Sequence, residues 1–423
     1  MQIELHSPVR KILFLGTCLF VAAIYLSFCT REFLAAYLSQ RPDLVRLTKA
    51  TSLQPANADY WHILGRYYLF VTQEPAKAVP FLQSAIRLNP YSANYWLDLA
   101  AAYQLLGKHD EHNSAIEKAI AAEPTSPEIA WQAANLYWIE GNSNEALHEF
   151  RIVAENDAHL MAAALERCWR IRPDASALLD NVLPHRADIY SAFLEFLLSR
   201  DESAAAAAVW DRLTQLQTII GTRYVFGYIH YLIDHRQIDQ ARRVWRDAAN
   251  IADLAAYQPS PANLVVNGDF SMPVLNGGFD WLYQSTPGVT LALDATESHS
   301  AQQSLSIVFD GTGLEDVGIR QLIPVEPHVD YEFAAYFKSE NMEGAGGPRF
   351  VLQDAFTGTN LWSSDELKDA DFWKQVGGIL TTGPDTNLLI LRVARVPPNN
   401  AIRGKLWIDG VRLIEKQLSA GGE

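Results

Sequence analysis

Three hydrophobic patterns follow one another along the chain. Residues 12–29 form a run of 18 residues without a charged side chain. From about residue 43 to 255 the apolar residues recur at helical spacing, and after residue 262 they alternate with polar residues in short runs. The pattern predicts, in this order, a helix of membrane length, an α-helical region and a β-rich region.

The first run has the features of a membrane anchor. Eighteen helical residues span about 27 Å, close to the hydrocarbon thickness of a bilayer. A cleavable signal peptide has a shorter apolar core and small residues at its exit, whereas Phe28 is bulky. We therefore predict a transmembrane anchor over residues 12–29. A cleaved signal peptide and a lipoprotein attached at Cys29 are the alternatives.

The flanking charges predict the orientation of this anchor. Arg10 and Lys11 favour a cytoplasmic N-terminus, residues 1–11. Basic residues on the other side, beginning with Arg31, weaken the asymmetry, but a long folded domain can be translocated despite them. We expect a single-pass membrane protein with its N-terminus inside and the bulk of the chain periplasmic or otherwise extracytoplasmic.

A repeat of 35 residues marks the helical region, because Trp61, Trp96 and Trp131 have this spacing. Residues at offsets of three, four and seven from each tryptophan lie on one helix face, and they are small or apolar except for Asn135 in the third set. A second helical stretch comes after each set, and the first two end at Asn89-Pro90 and Glu123-Pro124. The first set is Leu64, Gly65 and Tyr68, the second Leu99, Ala100 and Tyr103, and the third Ala134, Asn135 and Trp138.

This spacing resembles the tetratricopeptide repeat, W-x2-L-G-x2-Y followed by A-x3-F-x2-A and a proline. Three units fit across about residues 43–155. Tyr224-Gly227-Tyr228-Tyr231 with Ala241-Trp245-Ala248 resembles one more unit, and residues 158–217 are helical in pattern without a clear register. The resemblance implies an α-solenoid of paired helices over residues 43–255.

The repeated aromatic and leucine residues of such a solenoid form its packing core. Its concave face, lined by the first helix of each pair, binds a protein partner in this class of fold. Polar residues expected on this face are candidates for the partner groove, although solvated surface is the more common role for any one of them. They are Asp59, His62, Arg66, Asn94, Gln104 and Gln132.

The proline-containing segment 256–262 predicts a linker between the helical and β-rich regions. About nine strand-like runs follow between residues 264 and 414, separated by Gly, Pro, Asn and Asp. With no helical pattern between them, they predict an antiparallel β-sandwich or jelly roll over residues 263–416, followed by a tail, 417–423.

Several short motifs in this region resemble the galactose-binding-like jelly roll of cellulose- and xylan-binding modules. They include Asn267-Gly268-Asp269-Phe270, Trp373-Lys374-Gln375-Val376 and Leu406-Trp407-Ile408-Asp409-Gly410. The resemblance implies a carbohydrate-binding domain, or a relative that only contacts protein. It also implies a structural calcium ion, with Asp269 and Asp409 as candidate ligands, although Ser271 stands where the family often has an acid. No other cofactor is expected.

Carbohydrate binding needs exposed aromatic rings that stack on sugar faces, together with polar side chains for the hydroxyl groups. Trp281 and Tyr283 alternate with Phe279 and would share one face of a strand. Trp362 lies in a loop-like segment. The candidate polar partners are Gln353, Asp354 and Arg392. Trp281 and Trp373 could instead be core residues, and Trp373 matches a family position that is usually structural.

Composition narrows the function further. The net charge of −15 disfavours nucleic acid as a partner. The three cysteines show no metal-binding spacing, and no catalytic motif of the common hydrolases, kinases or dehydrogenases is present. We expect a non-catalytic envelope protein that binds a protein and a glycan, in surface polysaccharide assembly or export. A pure protein scaffold and a polysaccharide hydrolase or lyase are the alternatives.

Overall fold

The computed structural model describes residues 8–41, 43–300 and 302–416, and the predicted tail lies outside these ranges. Within them, fourteen α-helices precede ten β-strands. This order, with a β-sandwich at the end, confirms the predicted fold class. The chain divides into two compact units, Met1–Phe196 and Leu197–Glu423, which are described separately.

The first unit begins with a single long helix, α1 (Pro8–Ser39), which contains the whole apolar run. It is long and apolar enough to cross a membrane, although a signal sequence would meet the same criteria. Its last turns pack against α2 (Leu44–Leu53), where Ala35 is fully buried. The Arg31 side chain donates a hydrogen bond to the carbonyl oxygen of Leu53 at 2.6 Å.

Helix pairs follow α2. The first consists of α3 (Ala58–Arg66), extended by a π-helix (Tyr67–Val71), and α4 (Pro75–Leu88). The next two pairs are α5 (Ala93–Leu105) with α6 (His109–Ala122), and α7 (Pro127–Ile139) with α8 (Ser143–Asn156). The unit continues with α9 (Met161–Ile171) and α10 (Ala175–Asn181), and α11 (Ala187–Ser199) crosses its end.

The repeated small residues allow close packing within these pairs. A Cβ atom on Gly65 would lie 2.7 Å from the side chain of Leu82, so the first pair needs glycine there. The repeated tryptophans are only half-buried. The indole N–H of Trp61 donates to the carbonyl oxygen of Pro55 and that of Trp96 to Pro90, each at 2.9 Å. Each of these two tryptophans therefore holds the turn that precedes its own helix.

The second unit contains three more complete helices, α12 (Ser203–Gln215), α13 (Thr222–Asp234) and α14 (Ile238–Ile251). In α13 the buried face is Val225, Tyr228, Ile229 and Leu232. The predicted register of this helix, which began at Tyr224, is therefore wrong by one residue, and Gly227 is exposed. In α14 the predicted residues Ala241, Trp245 and Ala248 are buried.

The remaining strands, in chain order, are β1 (Leu282–Tyr283), β2 (Val289–Asp294), β3 (Ser304–Gly313), β4 (Asp316–Pro324), β5 (Asp330–Glu343), β6 (Pro348–Asp354), β7 (Asn360–Ser363), β8 (Lys374–Thr381), β9 (Leu388–Arg395) and β10 (Ala401–Glu415). Sheet I has the order β1-β4-β9-β6-β7, and sheet II has the order β2-β3-β10-β5-β8. Their paired strands are antiparallel, and the inward-facing residues of both sheets form one core that includes Phe270, Phe333, Phe350 and Leu391.

Helix α14 packs directly on the loop that leads into β1. The ring of Trp245 lies 5.9 Å from that of Phe279 in edge-to-face contact. The Gln258 side chain donates to the carbonyl oxygen of Trp245 at 2.9 Å, so the proline-containing segment is itself packed against the helix. The compact second unit thus includes α12–α14 together with the sandwich.

Candidate ligand-binding surfaces

The first helices of the first two pairs carry a polar network, which we call the groove network. The Nε2 atom of His62 lies 2.6 Å from an Asp98 carboxylate oxygen, and Nε of Arg66 lies 3.4 Å from the same oxygen. The hydroxyl of Tyr95 donates to Asp59, and its ring lies 4.4 Å from that of His62. Burial, together with the hydrogen bond to Asp59, raises the pKa of Tyr95.

This network brings together three of the six predicted groove residues, Asp59, His62 and Arg66. The sequence analysis missed Asp98 and Tyr95, which connect α5 to α3. Of the other candidates, Asn94 and Gln132 are exposed and Gln104 is half-buried, outside the network. The Arg66 side chain is 55% exposed, so the network presents a cation that a ligand can reach.

A cleft of about 580 Å³ opens at the β1 edge of sheet I; we call it the sheet I cleft. The ring of Tyr283 lines it and is 52% exposed. The Asn276 side chain accepts a hydrogen bond from the Tyr283 backbone at 3.0 Å. Gly318 of β4 has a φ of +90°, and a Cβ there would lie 2.3 Å from the Gln284 carbonyl oxygen. The glycine therefore allows the segment at Gln284, which forms one wall of the cleft, to lie close to β4.

Two arginines from adjacent strands line the floor of the cleft. Arg320 on β4 and Arg392 on β9 are direct cross-strand partners. Arg392 forms an ion pair with Asp316 at 3.0 Å. The side chain of Arg320 is exposed and forms no hydrogen bond or ion pair with any residue in the described ranges. The cleft therefore combines an exposed aromatic ring, a paired arginine and an unpaired one.

Other predicted sugar-binding residues have structural roles. Trp281 is 2% exposed, stacks on Phe270 and donates its indole N–H to the carbonyl oxygen of Asn267 at 3.0 Å. It is a core residue and its ring cannot contact a ligand, so the prediction that Trp281 binds sugar is corrected. Gln353 is half-buried on β6, where it pairs with Ile390 of β9.

Asp354 is also structural, because its carboxylate accepts hydrogen bonds from the backbone N–H groups of Phe356 and Thr357. Burial alone would raise the pKa of Asp354. Hydrogen bonds from Thr386 and from these amides outweigh that effect, and the pKa is lowered. Asp354 is 4% exposed and stabilises the turn after β6, so it is not available to a sugar.

Trp362 and Trp373 are both half-buried, in surroundings that differ from those predicted. Trp362 lies in strand β7 and not in a loop, and its ring packs 5.0 Å from Phe333 against the core. Trp373 lies outside the core and contacts His299, with ring centroids 5.8 Å apart. Trp362 is therefore not in a loop as predicted, and Trp373 is not part of the sandwich core.

Trp373 belongs to an aromatic patch on the outer side of sheet II, which we define as His299, Tyr336 and Trp373 together with Phe372, the exposed chain neighbour of Trp373. His299 stacks on Tyr336 with a centroid distance of 3.6 Å. The Phe372 side chain is 84% exposed. The sequence analysis did not identify this patch, because its members come from three segments that are distant in the sequence.

The two candidate calcium ligands already have hydrogen-bond donors. Asp409 is fully buried and accepts backbone N–H bonds from His299, Ser300 and Gly410 at 2.6–2.7 Å. Asp269 accepts from the backbone and hydroxyl of Ser271. The ranges that the structure describes contain no cluster of three or more His, Cys, Asp or Glu residues suited to a metal. Calcium binding remains a prediction.

No family model matches the chain. It is 27% identical over 172 residues to the human protein named Superkiller complex protein 3, a match that covers 40% of this chain and 11% of the human protein. The chain thus spans only a small part of this curated relative.

Among solved structures, the xylan-binding domain CBM22-1 from Paenibacillus barcinonensis Xyn10C is similar, with 15% identity, a TM-score of 0.25 and coverage of 36% of this chain and 94% of that one. The Yersinia enterocolitica chaperone SycD, solved with a YopD peptide, has 17% identity and a TM-score of 0.25, and the match covers 27% of this chain and 92% of SycD. The structure titled "Crystal structure of MamA" has 16% identity, a TM-score of 0.24 and coverage of 41% and 86%.

Proposed function

We propose that this chain is a membrane-anchored, non-catalytic binding protein whose sandwich holds carbohydrate and whose helix pairs hold a segment of a protein partner. The observation that carries the proposal is the convergence of Tyr283 and Arg320 in the sheet I cleft. An exposed ring offers a stacking surface for the apolar face of a pyranose. The guanidinium groups of Arg320 and Arg392 supply planar donors for hydroxyl or carboxylate oxygens.

Charge in the cleft indicates the kind of sugar. Asp316 neutralises Arg392, whereas Arg320 has no carboxylate partner in the part of the chain that the structure describes. A ligand carboxylate beside Arg320 would form a charge-assisted hydrogen bond, which is stronger than one from a neutral hydroxyl. Glu315 also lines the cleft, so the preference rests on Arg320 alone, and we propose a glycan that contains uronic acids as the ligand class.

Affinity electrophoresis of the full chain through gels with neutral or uronic-acid polysaccharides tests this proposal. Tyr283→Ala should weaken retention by about thirty-fold in affinity, equivalent to about 2 kcal/mol for a central contact. Arg320→Ala should weaken retention by the acidic polymer more than by the neutral one. Arg412→Ala, an exposed arginine on β10 in sheet II, is the matched control and should change neither.

The carbohydrate proposal fails if folded protein is retarded by no polysaccharide, with or without added Ca²⁺. Retention that survives Tyr283→Ala but is lost in Phe372→Ala would move the sugar site to the aromatic patch. Release of reducing ends during the same incubation would instead support a hydrolase, and release of unsaturated products a lyase.

Peptide binding is proposed for the groove network. Arg66 reaches solvent while its partner Asp98 is also held by His62, so the arginine can turn toward an acidic peptide side chain without leaving a bare carboxylate. Selection from a peptide library should therefore yield acidic sequences. Arg66→Ala should weaken their binding, whereas Arg87→Ala on α4 should not; equal binding by both variants would exclude this face.

The aromatic patch favours a second candidate function, a protein scaffold in which the sandwich contacts protein. Phe372 has no polar atom for sugar hydroxyls, and Ile379 on β8 is 52% exposed on the same sheet. If the scaffold function is correct, Phe372→Ala should abolish capture of one specific partner that the wild-type chain captures. The Tyr283→Ala variant should capture that partner normally.

A further inference from the structure

We infer that the turn Leu88–Tyr91 lies on the lipid surface, so that the first helix pair rests on the bilayer beside the anchor. This inference depends on the proposed membrane anchoring of α1 and adds to it a second contact with lipid. The surface consists of Leu88, which is 45% exposed, and Tyr91, which is 81% exposed. The ligand is the headgroup and upper acyl region of a phospholipid bilayer.

The hydrogen bond between Arg31 and Leu53 fixes where the turn after α2 lies relative to the bilayer. Arg31 is the first charged residue after the apolar run, so it marks the membrane boundary. Beyond residue 29, α1 continues for ten residues to Ser39, or about 15 Å at the helical rise. Helix α2 also has 10 residues and returns the chain to Arg31, where the Leu53 carbonyl accepts the hydrogen bond. The turn after Leu53 therefore lies at the level of the bilayer surface.

The next helix pair repeats this path. Residues 58–71, in α3 and its π-helical extension, and the 14 residues of α4 each extend about 20 Å, outward and then back. The turn after Leu88 therefore returns to the side of the turn after Leu53. The matching bonds from Trp61 to Pro55 and from Trp96 to Pro90 confirm that the two turns occupy equivalent positions in successive repeats.

The chemistry of the second turn suits an interface. Tyrosine is enriched where hydrocarbon meets headgroups, because its ring is apolar and its hydroxyl is polar. The Asn89 side chain accepts from the Tyr91 backbone at 3.2 Å and fixes the turn that carries the ring. Leu88 adds an aliphatic contact next to it. Exposure alone does not select this site, since Leu105 at the other end of α5 is 64% exposed. The turn Leu88–Tyr91 is selected by its position beside the anchor.

Fluorescence quenching in vesicles tests the inference. The full chain carries Cys18→Ser and Cys29→Ser, retains the buried Cys168, and receives either Tyr91→Cys or Leu105→Cys. Each is labelled with an environment-sensitive fluorophore and reconstituted into phosphatidylcholine vesicles that contain a headgroup nitroxide lipid. The two sites flank the same helix, so they form a matched pair. Circular dichroism confirms that both variants are folded.

We expect the label at Tyr91 to be quenched several-fold more strongly than the label at Leu105. Equal quenching at both sites, stronger quenching at Leu105, or quenching at neither in protein that floats with the vesicles would overturn the inference while leaving the anchor intact. Folded protein that fails to float with vesicles would refute the anchor itself, and the inference with it.

Discussion

The indole ring of Trp362 lies 5.0 Å from the phenyl ring of Phe333, with an angle of 50° between the ring planes. Trp362 on β7 therefore closes the core of the sandwich from sheet I, while Phe333 belongs to β5 of sheet II. The contact joins the two sheets near the β7 and β8 edges.

This contact predicts different costs for two tryptophan substitutions. Trp362→Ala should lower the free energy of unfolding by about 2–3 kcal/mol, because it leaves a cavity beside Phe333. Trp373→Ala removes a half-buried ring that contacts His299 outside the core, and it should cost less, about 1 kcal/mol. Thermal unfolding of both variants measures the difference. A larger loss in the Trp373 variant would contradict the placement of the two rings.

Gly278 is expected to be intolerant of a side chain. A Cβ there would lie 2.1 Å from the Trp245 ring, and its φ is +61°. Gly278→Ala should therefore destabilise the second unit by about 3 kcal/mol or more, from steric overlap added to backbone strain. Gly358→Ala is the control, since Gly358 has φ +70° with no atom within 4 Å, and should show only the strain, about 1 kcal/mol. Equal melting temperatures for the two variants would show that Trp245 does not pack there.

Glu149 on α8 should make stability depend on pH. Burial raises the pKa of this carboxyl from 4.5 to about 7. The folded state therefore binds the proton more tightly than the unfolded chain, and this stabilisation is present below pH 4.5 and is lost as the pH rises through 7.

The Glu149→Gln variant removes this titration. Its stability relative to wild type should increase between pH 5 and pH 8 by about 2 kcal/mol, after allowance for residual solvation. Glu145→Gln, at an exposed position on the same helix, is the control and should show no such trend. Chemical denaturation at several pH values measures the difference, and parallel curves for wild type and Glu149→Gln would disprove the effect.

Asp409 should stabilise the sandwich through hydrogen bonds whether or not calcium binds. Asp409→Asn replaces an acceptor oxygen by an NH₂ group that faces backbone N–H donors, at a cost of about 2–3 kcal/mol. The melting temperature should fall equally in EDTA and in Ca²⁺. If the variant is destabilised only when calcium is present, Asp409 acts as a metal ligand instead.

Periodicity sufficed to predict the helical and β-rich regions because burial repeats along one helix face or alternates along a strand. Trp61 and Trp96 gave the register of the first pairs. In α13, Tyr224 and Val225 are both apolar, so the pattern allowed two registers, and only packing selects Val225. The repeat spacing also persists at buried residues of α11 and α12, but in α11, the first helix of the pair, a tyrosine stands where the earlier pairs have the tryptophan that marks the repeat. These residues are Tyr190, Phe193, Leu194, Leu197, Ala206, Trp210 and Leu213.

The sites were harder to predict, because exposure of an aromatic ring depends on partners distant in sequence. Trp281 and Tyr283 have similar neighbours in the sequence, yet one lies in the core and the other lines the cleft. Arg320 is ordinary in the sequence and becomes significant only when pairing of β4 with β9 places it beside Arg392. The pairing of Asp98 with His62 likewise needs the packing of α5 against the preceding helix pair.

The contact of α14 with the sandwich determines how the C-terminal half can be produced as a separate fragment. Expression from residue 263 would remove Trp245 and leave Phe279 and the Gly277–Gly278 loop facing water. An exposed aromatic loop of this kind promotes aggregation, and a negative binding assay with such a fragment would have no meaning. Helix α11 (Ala187–Ser199) ends two residues after the start of the second unit. A fragment that begins near residue 200 therefore keeps α12–α14 and their contacts with the sandwich. This fragment is better suited than the isolated sandwich to crystallisation with a sugar.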